Sequence, residues 1–232
     1  MEPSFLSKYL YARYTDELYE PPPEHKGIVV TVSRDTGCDG MPIVEEVTRQ
    51  LNRALSKADK RQPWRFFSKE IFEKSAKKLN LKPEIFDKLV HEKDRGIVQD
   101  IIQSFAKESY PSNIKLKRTL RGVIESIEQE GGVIILGRAG VAIVKHNKKN
   151  LHVKLTAPLE WRIKKIAKEY GVSEDKARKH VHESDKLRDN LKRYYMGKKV
   201  QYADFDVVLN VSSLTKKEIC AALVTMVQAK NK

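Results

Sequence analysis

The chain of 232 residues is 40% hydrophobic and 33% charged, with a formal net charge of +14; this length buries a full core, and this composition excludes disorder throughout. No apolar run approaches the roughly 18 residues of a membrane span, and the opening MEPSFLSKYLYARY is too polar and aromatic for a signal peptide. Cys38 and Cys220 are the only cysteines, so no disulfide framework is suggested and a cytoplasmic protein is expected.

Residues 4–20 carry Tyr9, Tyr11, Tyr14 and Tyr19 and predict a short aromatic helix, ended by Pro21-Pro22-Pro23. Residues 1–26 read as an arm that docks on the body or on a second copy in a homodimer. Gly27 to Val32 is short, β-branched and apolar, as a buried strand is. From Pro42 to Leu55, apolar residues at Ile43, Val44, Val47, Leu51 and Leu55 follow helical spacing. Trp64 to Phe67 predicts a second strand. Residues 68–130 read as four helices punctuated at Pro83, Gly96 and Pro111. Gly131-Gly132 stops the last of them before the strand Val133 to Leu136. Leu151 to Leu155 is a further strand, followed by a charged helix from Leu159 to Tyr170. Phe205 to Val211 is the final strand and Lys216 to Ala229 the final helix. Strands alternating with helices predict a parallel sheet covered on both faces, with ligands beyond the strands' carboxyl ends.

Three strand ends therefore matter most. After Val32 comes SRDTGCDGMP, where Gly37 and Gly40 admit unusual backbone geometry and Pro42 suits a helix's first turn. The N–H groups of that helix end attract anions. Registered on Gly40, the pattern G-x-x-x-x-G-K-[ST] places Asp35 at the first glycine, Met41 at the lysine and Pro42 at the hydroxyl residue. A phosphate loop and a plain strand-to-helix turn both fit. After Leu136 comes Gly137-Arg138, an arginine placed either to reach a phosphate or to pair with a carboxylate. After Leu155 comes a basic region: residues 161–199 hold 13 Lys/Arg against 6 Asp/Glu, a net +7 that is half the excess charge. Asp185, Arg188 and Lys192 share one helical face there. A mobile lid whose carboxylates hold arginines until phosphate competes fits this mixture; so does a salt-bridged helix pair. Concentrated charge suits a compact phosphate as well as a nucleic acid, and with no recognised DNA module a nucleic-acid partner is not expected.

Taken together, these segments resemble the cytidylate kinase-like family, a branch of the P-loop nucleoside monophosphate kinases. The resemblance rests on Ser33-Arg34-Asp35, the Gly37 and Gly40 loop, Val133 to Arg138, Ala157-Pro158-Leu159-Glu160-x-Arg162-Ile163, Asp185-Lys186-x-Arg188, Arg193-Tyr194-Tyr195 and Asp206 to Asn210. It implies an α/β three-layer sandwich with a five-stranded parallel sheet, a helical monophosphate-binding insertion at 68–130 and a basic helical lid at 159–199. By the same resemblance, Ser33, Arg34, Gly37, Cys38, Asp39, Gly40 and Met41 would surround the phosphates of ATP. Arg138, Asp185 and Arg188 would bind a monophosphate acceptor such as CMP. Arg138, Arg162, Arg188 and Arg193 would neutralise the transferred group, with Mg2+ as the implied metal.

Departures from the family pattern concentrate in the loop. Asp39 stands where a small residue is usual and Met41 where a basic one is, and Pro42 offers no hydroxyl. Leu136 and Ser68 stand where carboxylates are expected, so no magnesium ligand is assigned. Arg34 and Lys69 are candidates to restore the missing charge. Cys38 sits near a helix N-terminus, where a thiol pKa can fall; a small residue tolerated in a loop is the plainer reading. Two functions follow: phosphoryl transfer to a nucleoside monophosphate, or binding of a nucleotide, phosphorylated ligand or partner protein without transfer.

Overall fold

The computed structural model describes residues 27–55, 63–68 and 121–230, apart from 123 and 126. The expected arm, most of the helical insertion and Lys69 lie outside them. Five strands form one parallel sheet: β1 (Val29–Arg34), β2 (Arg65–Phe67), β3 (Val133–Leu136), β4 (Leu151–Thr156) and β5 (Val207–Asn210). Their spatial order is β2-β3-β1-β4-β5. The chain builds β2 and β3 on one side of β1, then crosses to place β4 and β5 on the other. A crevice opens at such a reversal, beyond the carboxyl ends of the central strands.

Alternation along each strand sends side chains to opposite faces. Val30, Val32, Ile134, Leu136, Leu151, Val153 and Leu155 form one core with two helices, α1 (Met41–Arg53) and, near the C-terminus, a helix over Lys216–Lys230. From α1 come Ile43, Val44, Val47 and Leu51, all buried, the helical spacing expected of an amphipathic face. On the opposite face a short helix, α2 (Gly140–Ile143), packs against β1. Two charged helices follow β4: α3 (Leu159–Tyr170), ended at Gly171, and α4 (Glu174–Met196), capped by the Ser173 side chain and ended at Gly197. Their mutual contact is a small apolar cluster of Ile163, Ile166, Ala177 and Val181. The C-terminal helix, Lys216–Lys230, is hereafter α5.

Most boundaries agree with the sequence reading, and β1 differs instructively. It runs two residues beyond Val32, because Ser33 and Arg34 pair with Lys154 and Leu155 of β4. That extension carries Arg34 and Asp35 to the rim of the sheet.

The α2 face of the sheet holds buried polar groups, Thr31, His152 and Lys154 among them. His152 shares a 2.8 Å hydrogen bond between Nδ1 and the Thr31 hydroxyl, and its ring stacks on His146 with centroids 4.1 Å apart. Burial, and then the neighbouring His146, pushes the His152 imidazole down to about 4, against a weaker upward pull from Asp206. A base whose folded pKa lies below its unfolded value is stable when neutral; stability then falls as pH drops from about 6.5 to about 4, by up to about 3 kcal/mol. Thermal unfolding at pH 7 and pH 4.5 should therefore show a lower Tm in acid, and His152→Gln, which can still bond Thr31, should flatten most of that difference.

Candidate functional site

At the crevice, a pocket is lined by Ser33 and Arg34 from the end of β1, Leu136 to Ala139 from the end of β3, and Ser184, Leu187, Arg188, Leu191 and Lys192 from α4. Four cations and two hydroxyls meet there, over a wall of leucines. No carboxylate is among these lining residues. A crevice of one sign of charge, with low-dielectric walls, concentrates anions, and arginine forks suit phosphate oxygens.

The floor of the pocket is an unusual turn. Gly137, Arg138 and Ala139 all have positive φ, at 76°, 51° and 55°. A left-handed conformation costs an L-residue roughly 1–2 kcal/mol, and here two non-glycine residues adopt it in succession. The turn is held by Gly137 N–H to Val32 O at 2.9 Å and Gly140 N–H to Gly137 O at 2.9 Å. It sets Arg138 facing α4 across the mouth of the crevice. Strain of this kind persists where surrounding structure over-determines it, and it clusters at ligand sites.

Behind the pocket, the loop after β1 is gripped by the two charged helices. Asp185 on α4 accepts from the Thr36 backbone N–H at 2.8 Å and from the Thr36 hydroxyl at 2.7 Å, both on Oδ1. Its other oxygen accepts from Arg162 Nη1 at 2.7 Å. Arg162, buried at the start of α3, also donates to the carbonyls of Ala157 at 3.1 Å and Thr36 at 3.2 Å. Lys165 donates to Gly37 O at 3.0 Å, and Arg188 donates to the Thr36 hydroxyl at 2.7 Å. Each backbone group of a buried turn needs a partner, and here most partners are side chains of α3 and α4.

Asp35 closes the arrangement from the sheet side. Its carboxylate accepts from Lys154 Nζ and, at 2.7 Å, from the Thr156 hydroxyl. Burial alone would raise this carboxyl, but Lys154 beside it and the two hydrogen bonds hold it below the usual range. Cys38 is buried; burial first, then the Asp35 charge, pushes its thiol up to about 11. An activated thiol at this helix end is therefore not what the fold builds.

The sequence-predicted residues separate into groups. Ser33, Arg34, Arg138 and Arg188 line the pocket. Arg162, Asp185 and Gly37 belong to the clamp behind it, Cys38 is in the core, and Asp39 faces solvent. Gly40 lies beneath the Arg34 side chain, and Met41 packs against the apolar core rather than lining the pocket. Arg193 is exposed and does not line the pocket. Thr36, Lys154, Thr156 and Lys165 escaped the sequence reading. Lys154 had one available signal: a lysine inside a buried strand is costly unless paired. For the implied Mg2+, the pocket lining offers hydroxyls and cations, and Asp35 is already engaged. A magnesium ion binds through one or two carboxylates plus phosphates; the lining residues do not fit that set, and no step is assigned to the metal.

The sequence matches the model of the cytidylate kinase-like family over residues 29–213. The chain belongs to this family. It is similar to a cytidylate kinase of Sulfolobus acidocaldarius, 30% identical over 106 residues, 45% of this chain and 58% of that protein. A uronate isomerase of Corynebacterium glutamicum is 26% identical over 125 residues, 53% of this chain and 24% of that protein. The chain thus spans a quarter to somewhat over half the length of these curated relatives. The crystal structure of an uncharacterized protein from Eubacterium ventriosum superimposes with a TM-score of 0.58 at 15% identity, covering 88% of this chain and 99% of that one. That likeness carries the fold alone: an α/β three-layer sandwich around a five-stranded parallel sheet. Among the described residues, no helix is long and apolar enough to cross a membrane.

In this cytidylate kinase-like chain, Arg162 and Asp185 bond each other and Thr36, tying the loop after β1 to α3 and α4. Without Arg162, Asp185 keeps Thr36 and Arg188 as partners, and what is lost is a set of charge-assisted hydrogen bonds to a half-buried carboxylate and two carbonyls, worth about 1.5–3 kcal/mol. Arg162→Met should therefore lower stability by about that much in a urea titration, whereas Arg178→Met, at an exposed pair with Glu160, should leave the unfolding midpoint close to that of the wild type.

Proposed function

We propose that the chain binds nucleotides in the crevice between β1, β3 and α4, and transfers the γ-phosphoryl group of ATP to a nucleoside monophosphate such as CMP. The observation that carries this reading is the convergence of Arg34, Arg138, Arg188 and Lys192 on one pocket at the sheet's reversal point. Membership of the cytidylate kinase-like family supplies the reaction class. An oxygen of the acceptor phosphate forms the new P–O bond as the bond from the γ-phosphorus to the bridging oxygen breaks, and ADP keeps that electron pair. The protein's part is to hold two phosphates in line and spread cations around the equatorial oxygens. Arg138, set by its strained turn, faces the acceptor phosphate; Arg188, on α4, follows the lid.

A second reading has its own support. The Thr36 N–H, a loop donor that a phosphate would use, is already bonded to Asp185, and Met41 contributes no charge. A protein that binds a nucleotide and does not transfer phosphate fits these two facts.

Titration calorimetry with ATP and CMP, followed by a transfer assay across the nucleoside monophosphates, separates the two. Phosphoryl transfer on at least one acceptor, and a loss of about 10- to 100-fold in CMP affinity for Arg138→Met, are the results expected. Tight binding with no turnover on any acceptor would leave the second reading in possession. No binding of either nucleotide would sink both, since a ligand of the native state must also raise Tm.

A further inference from the structure

We propose that the stacked pair His146 and His152 is a proton-sensitive prop beneath α2, and that proton uptake there loosens the turn carrying Arg138. The device is independent of which ligand the crevice takes, since it acts on the turn and not on an occupant.

A continuous line of contacts joins the two places. His146 lies in the exposed link between α2 and β4, and its Nε2 donates to the Val141 carbonyl of α2 at 2.7 Å. Its ring covers that of His152, with centroids 4.1 Å apart and planes 22° from parallel. His152, on β4, bonds the Thr31 hydroxyl of β1 through Nδ1 at 2.8 Å. Thr31 in turn lies directly under α2: a Cβ on Gly140 would meet its Cγ2 at 3.3 Å and its Cβ at 3.4 Å. Gly140 closes the turn of Gly137, Arg138 and Ala139 by donating to the Gly137 carbonyl at 2.9 Å. With four residues, α2 is too short to stand on its own hydrogen bonds. Its position, and that of the left-handed turn before it, therefore rest on what lies below and beside it.

That support suits a neutral His152 ring. Both His152 and Thr31 are buried, and Nε2 of the ring has no hydrogen-bond partner among the described residues. A neutral ring can keep its one N–H on Nδ1, against Thr31, whereas a charged ring must carry a second at Nε2. Burial first, and then His146, holds the ring down to about 4. Lys230, at the end of α5, adds to this, while Asp206, ahead of β5, and the Lys145 carbonyl pull upward. Asp204, beside Lys198, adds a negative charge on the His146 side. A His152 ring released to solvent by movement of α2 and the 145–149 link takes its proton near the ordinary value of about 6.5. Opening is thus coupled to proton uptake. It is unfavourable at neutral pH and grows easier as pH falls from about 6.5 to about 4.

The experiment is amide hydrogen exchange on the full chain at pH 7 and pH 5, each rate taken relative to an unstructured peptide at the same pH. The Gly140, Ala142 and Val144 amides, which close the turn and α2, should lose about 10- to 100-fold of their protection at pH 5. They should then be at least about tenfold less protected than the Val44 amide of α1, on the other face of the sheet. His152→Gln, which keeps a bond to Thr31 and cannot titrate, should hold the three amides near their pH 7 protection. Unchanged protection of the wild-type turn between the two pH values would overturn the proposal, and this arm needs no variant. So would a loss shared equally by Val44, which would make the opening global, or a loss that persists in folded His152→Gln.

Discussion

The backbone of the 35–37 turn is held by charges that come from elsewhere in the chain. Thr36 donates its N–H to Asp185 and accepts from Arg162 at its carbonyl, and the Gly37 carbonyl accepts from Lys165. Asp35 in turn draws Lys154 and Thr156 of β4 to the same rim. A turn between a buried strand and a buried helix cannot leave its polar groups unpaired, because each would carry the full desolvation penalty. Satisfying them ties β1, β4, α3 and α4 into one unit.

That tie decides what the crevice presents. With Arg162 and Asp185 engaged behind the loop, the cations left facing the pocket come from strand ends and from the outer turns of α4. Arg188 belongs to both sets, donating to Thr36 while lining the pocket. Movement of α4 would therefore change the loop's partners and the pocket's charge together. A phosphate arriving at the crevice and a carboxylate holding the turn compete for the same kinds of donor, and the sign of that competition follows from charge alone.

The contrast between Arg138 and Arg162 shows what the primary structure conveyed. Both follow strands, both stand among small or apolar residues, and both fit a phosphate ligand or a structural arginine equally well. In the fold they part: Arg138 rides a left-handed turn into the crevice, and Arg162 is buried against carbonyls and Asp185. Spacing could not separate them, because the difference lies in which partner reaches each guanidinium from a distant part of the chain. Asp185 and Thr36 are 149 residues apart, and no local pattern encodes their meeting. Lys154 was obscured for a related reason: its neighbours in β4 read as core, and the carboxylate that justifies its burial, Asp35, comes from the loop just after β1.

Short-range rules determined the rest. β-branched runs, helical spacing and glycine or proline punctuation located the strands and the helices around them, since those signals arise from backbone sterics and one-sided burial. The order of strands and helices, together with the Gly-Arg and Asp-x-x-Arg segments, was enough to suggest the family. What the sequence by itself determined, then, was the sheet, its covering helices and the positions of the charged strand ends. Only the tertiary structure decided which charges face the crevice and which are spent on the loop, because that division depends on satisfying buried polar groups across the sheet's reversal, and those partners meet only once the chain is folded.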